Sequence, residues 1–168
     1  HGERTGRPKM TESEKPIVKE AFEIGKTDKR AALDLLYNIV DEDSSPSIYY
    51  FIGVLHSEAG DQEKAMEFFK VTLDKVPSFR QAAKRLGILQ AEAGNFAEAK
   101  VTLLKALSLG AEDDGAIYGL LALCYLNSGD AATAEYNYRI ALKRNPGNDD
   151  WRNGLEKSLK LQGKKSLF

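Results

Sequence analysis

A chain of 168 residues, 42% hydrophobic and 29% charged, is long enough to bury a core and has the composition of an ordinary globular domain. Its 24 Lys and Arg balance 25 Asp and Glu for a net charge of −1, which argues against a protein that tracks nucleic-acid phosphates on a basic surface. A single cysteine, Cys124, excludes an intrachain disulfide and a Cys-based zinc site, and fits a reducing compartment and the periplasm alike.

The chain opens on "HGERTGRPKM", which has no apolar h-region and reads as a flexible leader or cloning remnant over 1–11, with Met10 a candidate native start. "EKPIVKEAFEIGKTDKRAALDLLYNIVDED" then gives two amphipathic helices, and Ser45-Pro46 a helix start with Pro in the first turn. Three segments follow that align with one another: "HSEAGDQEKAMEFFKVTLDKVP", "QAEAGNFAEAKVTLLKALSLGA" and "YLNSGDAATAEYNYRIALKRNP". Each has a turn Gly (Gly60, Gly94, Gly129), an Asp or Asn directly after it, and an Ala five residues past it; the glycines are 34 and 35 residues apart. A Gly without Cβ suits the left-handed residue that ends a helix, and the Asp or Asn then caps the next. Asn95 with Glu98, and Ser78 with Gln81, form candidate capping boxes. The connector Gly110–Gly115 carries one extra residue, and no strand pattern competes. "NDDWRNGLEKSLKLQG" is one amphipathic helix with Trp151, Leu155 and Leu159 spaced by four and Gly163 as its stop; "KKSLF" is a frayed tail. The longest nearly apolar run, Ala116 to Leu126, falls far short of the roughly 18 residues that span a bilayer.

A helix-turn-helix period near 34 marks a solenoid, and the residues resemble the tetratricopeptide repeat family. Tyr49, Ile52, Gly53 and His56, then Ala65, Phe69, Thr72 and Pro77, fill its slots in the first clear unit. In the second these are Ala83, Leu86, Gly87 and Gln90, then Ala99, Leu103, Ala106 and Ala111; in the third, Tyr118, Leu121, Ala122 and Tyr125, then Ala134, Tyr138, Ala141 and Pro146. The match covers Pro46 to Pro146, about three-fifths of the chain. Upstream, Phe22, Ala31 and Leu35 stand in matching slots and Lys19 where a small residue is usual, so the first unit is degenerate. The resemblance implies an all-α, right-handed α-α superhelix, a solenoid of antiparallel hairpins at 12–45, 46–79, 80–114 and 115–148 with a C-terminal capping helix at 149–163 and a tail at 164–168.

Catalysis has little to draw on. His1 lies in the leader, His56 falls in a packing slot, and Cys124 sits in an apolar helix without a basic neighbour in sequence. The acidic runs Asp41–Asp43 and Glu112–Asp114 lack the ligand spacing of a calcium loop, and no phosphate-cradling loop or dinucleotide fingerprint is present. No cofactor, metal or enzymatic activity is therefore expected. The resemblance instead implies a concave groove lined by the first helices, which holds a peptide or protein segment. By repeat position this groove carries Tyr50, Phe51, Val54, Ser57 and Glu58; then Lys84, Arg85, Ile88, Ala91 and Glu92; then Gly119, Leu120, Leu123, Leu126 and Asn127. Apolar ends with two cations between them suit a partner with apolar anchors and an acidic residue. Family members that clamp a C-terminal carboxylate use Lys, Asn, Asn, Lys and Arg; at the matching positions Pro16, Glu20, Phe51, Gln81 and Arg85, only Arg85 agrees. The expectation is a soluble scaffold or adaptor, cytoplasmic or periplasmic. Open beside it are self-association, a secretion-type or assembly chaperone for a translocated protein, and a structural array within a larger envelope or assembly protein.

Overall fold

The structure, a computed structural model, describes residues 10–112 and 114–166. The first nine residues of the expected leader, the central residue of the second acidic run and the last two of the expected tail lie outside the described residues. The described residues form nine helices and no strand: α1 (Glu14–Gly25), α2 (Lys29–Ile39), α3 (Pro46–Glu58), α4 (Gln62–Lys75), α5 (Arg80–Glu92), α6 (Phe96–Ser108), α7 (Ala116–Asn127), α8 (Ala131–Arg144) and α9 (Asp149–Leu161). None of them is long and apolar enough to cross a membrane. Their packing resolves into two compact units, His1–Ala82 and Ala83–Phe168, with the boundary inside α5.

The same helix stop is built at the three turn glycines of the repeats, and again at Gly110 and Gly163. Gly60, Gly94 and Gly129 sit at φ of +88°, +82° and +87°. The Gly N–H donates to the carbonyl three residues back, and the next residue's N–H to the carbonyl five back; the latter are Asp61 to His56, Asn95 to Gln90 and Asp130 to Tyr125, each 2.9 Å. This pairing satisfies carbonyls that the helix end leaves without partners. The following helix starts on a side-chain cap in two of the three repeats: Asp61 accepts from the Lys64 N–H and Asp130 from the Thr133 N–H. Asn95 does not cap. Its expected capping box is undone because Glu98 accepts a hydrogen bond from Gln90 Nε2 at 3.4 Å instead.

In unit 1, α1 and α2 form one hairpin and α3 and α4 another, over a core of Ala21, Ala32, Leu33, Leu36, Ile48, Ile52 and Leu55. The hairpins close where side chains are small. A Cβ on Gly53 would stand 2.7 Å from the Phe69 ring, and one on Gly25 3.1 Å from Leu55. The first hairpin departs from the sequence register. Asp28 caps α2 through the Ala31 N–H at 3.0 Å, and Ala32, four residues past the cap, is fully buried, as Ala65 is four past Asp61. Ala32 and Leu36 therefore take the slots expected for Ala31 and Leu35, which are only half-buried. On α1 both Ala21 and Gly25 are buried, Ala21 takes the slot expected for Lys19, and Lys19 is exposed. The turn Lys26–Asp28 has three residues like its glycine counterparts but no left-handed residue, and Ala21 stands seven residues before the cap Asp28 where Gly53 stands eight before Asp61; this one-residue difference displaces the alignment.

In unit 2, α5 meets α6 at Gly87, where a Cβ would stand 2.7 Å from Leu103. The hairpin of α7 and α8 is closed by α9, with Ala122, Ala134, Tyr138, Leu155 and Leu159 in one buried cluster. Gly154 lies beneath the Tyr138 ring, while Gly115 and Gly119 lie beneath Trp151. Asn148 caps α9 through the Trp151 N–H at 3.0 Å. In the connector before α7, Gly115 adopts φ +112° directly at the helix start.

Candidate functional site

The first helices present the residues expected to line a groove, and each unit carries its own part. On α3, Tyr50, Phe51 and Val54 are all half-buried. Tyr50 is engaged in packing, its ring 4.9 Å from Phe79 and 5.7 Å from Phe69. Phe51 turns the other way, 6.1 Å from the ring of Phe22 on α1. Ser57 Oγ donates to Gln62 Oε1, and Glu58 pairs with Lys29 at 3.6 Å.

Phe22 is the residue that sequence reasoning misses. The repeat alignment puts it in a packing slot, yet it is 55% exposed, with the Lys26 ammonium 5.0 Å above its ring. The signal is present in the sequence: Asp28 four residues ahead of Ala32 repeats the spacing of Asp61 to Ala65 and Asp130 to Ala134. With Ala21 as the small residue, Phe22 follows it as Val54 follows Gly53, Ile88 follows Gly87 and Leu123 follows Ala122. The corrected register moves the first two clamp positions to Val18 and Phe22, which are no nearer to Lys and Asn.

On unit 2, Ile88, Leu120 and Leu126 are half-buried, Leu123 is 36% exposed, and Arg85, Glu92 and Asn127 are exposed. Lys84 is half-buried, and its ammonium donates to the Glu112 carbonyl at 2.5 Å, so it ties α5 to the connector as well as carrying charge. Ala91 and Gly119 are buried, the latter by Trp151. Leu126 leans on the Ala122–Tyr138–Leu155 cluster. Leu121, on the other side of α7, is fully packed, so the helix is apolar on two faces.

The titratable groups with unusual settings are structural. His56 Nε2 and the Tyr37 hydroxyl share a 2.7 Å hydrogen bond, and the imidazole stacks on Phe68. Burial lowers the His56 pKa from its ordinary value, with Asp61, Lys64 and Glu67 as secondary influences. Burial likewise pushes the Cys124 thiol up, which keeps it an unreactive thiol. In the first acidic run, Asp41 accepts from the Asp43 N–H and its own N–H donates to Ser44 Oγ, so the run builds its own turn. Among the described residues no group of His, Cys, Asp and Glu is arranged to hold a metal.

Two family models match, both for the tetratricopeptide repeat, one over residues 84–149 and one over 46–70. Photosystem I assembly protein Ycf3 of Rippkaea orientalis (strain PCC 8801 / RF-1) is 32% identical over 62 residues, 34% of this chain. The chain thus spans 36% of that relative's length. Among solved structures, MamA from Desulfovibrio magneticus RS-1 is 19% identical, with 92% of this chain and 88% of that chain covered and a TM-score of 0.75. The first TPR domain of Spaghetti (RPAP3), bound to the HSP90 peptide SRMEEVD, is 16% identical, with 71% and 94% covered and a TM-score of 0.60. At these identities the structural likenesses establish the fold, an all-α superhelix of helix hairpins.

Proposed function

The chain belongs to the tetratricopeptide repeat family, and on that premise we propose that it is a non-catalytic scaffold or adaptor that binds a protein segment on the faces of its first helices. A role in protein–protein interaction or assembly is the common ground of the family matches and structural neighbours. One observation carries the finer reading. In each first helix the side chain that follows the buried small residue, Phe22, Val54, Ile88 or Leu123, is apolar and at least partly open. A segment that covers such side chains gains burial that the free protein does not have. Charge selects what lies between the anchors: Lys84 and Arg85 precede Ile88 in unit 2, which favours a segment with an acidic residue among apolar ones.

A second reading, an assembly chaperone that uses the same faces, draws on the likeness to a photosystem assembly protein over about a third of the chain.

Fluorescence polarisation with peptides that carry two leucines around an acidic, neutral or basic residue tests the reading. The acidic series binds most tightly, Arg85→Glu removes that preference, and Leu123→Glu weakens binding about tenfold or more, about 1.4 kcal/mol. Lys84 also holds the connector, so its replacement would change more than charge. Equal affinity across the three series and both variants would refute the proposal.

A further inference from the structure

The second helices of the three repeat units each turn one side outward, a side that is polar on α4 and mixed on α8, where Tyr136 is 66% exposed. On α4 its positions are Glu63, Glu67 and Lys70. At the same repeat positions α6 has Ala97, Val101 and Leu104, and α8 has Ala132, Tyr136 and Arg139. Val101 is 67% exposed and Leu104 43%. With Ser108 four residues beyond Leu104, these α6 side chains fall on one helical stripe at i, i+4, i+7 and i+11, all exposed. Neither the close approach of α6 to α5 at Gly87 nor the packing of Ala99, Leu103 and Ala106 makes any use of this stripe.

What flanks the stripe indicates what covers it. Glu98, which also accepts a 3.4 Å hydrogen bond from Gln90, and Lys105 are both exposed and lie seven residues apart along the same edge. A helix with an acid at one end of an edge and a base at the other is complementary to itself when turned end for end. The midpoint of Glu98 and Lys105 falls beside Val101, so a twofold axis there places each Glu98 opposite Lys105 of a second copy and lays the two apolar stripes together.

We propose that α6 is a self-association face: two copies pair this helix antiparallel about a twofold axis, burying Val101 and Leu104 between reciprocal Glu98–Lys105 ion pairs. The face is one helix long and falls in the small class of interfaces, so the dimer is weak and reversible. The ion pairs fix its register more than its strength, since exposed pairs contribute at most about 1 kcal/mol. This surface is separate from the first-helix faces and does not depend on them.

Sedimentation equilibrium of the whole chain from low to high micromolar concentration tests it. The expected result is a monomer–dimer equilibrium whose dissociation constant rises about tenfold or more in Leu104→Glu. Val101→Asp does the same by a second route, and both variants keep the wild-type helical circular dichroism because the residues replaced are exposed. Glu98→Lys and Lys105→Glu each weaken the dimer, and combining them restores it, while Leu123→Glu leaves it unchanged. A monomer at every concentration, a dimer indifferent to Leu104→Glu, or a double charge exchange no tighter than its single variants would overturn the proposal.

Discussion

His56 shows what one side chain does for unit 1. Its ring lies in an aromatic cluster with Tyr37 and Phe68, 6.0 and 5.8 Å away, and closes that cluster with the bond to the Tyr37 hydroxyl. Burial holds its folded pKa below the ordinary value of 6.5. A group with a depressed folded pKa takes up its proton later than the unfolded chain does. The unfolded state therefore binds more protons in that window, and stability rises with pH through it. The contribution is complete above about pH 6.5 and is lost as pH falls toward the folded pKa. In urea unfolding, the wild-type midpoint drops between pH 7.5 and 5.5 by more than that of His56→Gln, and parallel slopes would contradict this assignment. Gln90 fills the same slot in the next repeat with a poorer fit. Its Oε1 is buried without a hydrogen-bond partner, a condition that costs about 1–3 kcal/mol. Gln90→Leu removes the orphaned oxygen and raises stability by about 1 kcal/mol; a lowered urea midpoint would show that the Glu98 contact outweighs it.

At the scale of elements, the hairpins are set by a small residue under a large one. Gly53 lies under Phe69 and Gly87 under Leu103. Gly53→Val drives its branches into a fully buried ring and costs about 2 kcal/mol, read as a lower urea midpoint; an unchanged midpoint would contradict the close approach. A cation over an aromatic recurs as well: Lys75 stands 5.0 Å from the Tyr49 ring and Arg144 4.7 Å from Tyr118, both 26 residues downstream of the ring they cover. The last helix is joined through Gly119, where a Cβ would collide with the Trp151 indole. Trp151 is the only tryptophan, so its fluorescence reads that joint alone. Gly119→Val displaces the indole and shifts its emission to the red, whereas wild-type emission would place Trp151 elsewhere.

Legibility follows local chemistry. The three turn glycines and the small residues Gly53 and Gly87 can be read from spacing, because each answers a backbone or steric demand repeated at a fixed period. The N-terminal hairpin cannot be aligned that way. Its Lys26–Asp28 turn has no left-handed glycine, so the register slips and Phe22 is hidden in a packing slot. The loss of the Asn95–Glu98 box comes from competition by Gln90, and the burial of Gly119 from a tryptophan on another helix; both depend on neighbours that spacing does not reveal.

At the scale of the whole molecule, both units leave apolar side chains of their first helices partly open, and unit 2 adds an open second-helix stripe. First helices leave Phe22, Val54, Ile88 and Leu123 partly open, and the second helix α6 leaves Val101 and Leu104 open. The proposed division of labour gives the first set to a partner segment and the second to a copy of the chain. Methyl resonances of Leu, Ile and Val distinguish the two sets directly. With an acidic-leucine peptide titrated into methyl-labelled protein below its dimerisation range, the methyls of Ile88, Leu120 and Leu123 in unit 2 shift while those of Val101 and Leu104 stay in place. Shifts confined to Val101 and Leu104 would contradict this division.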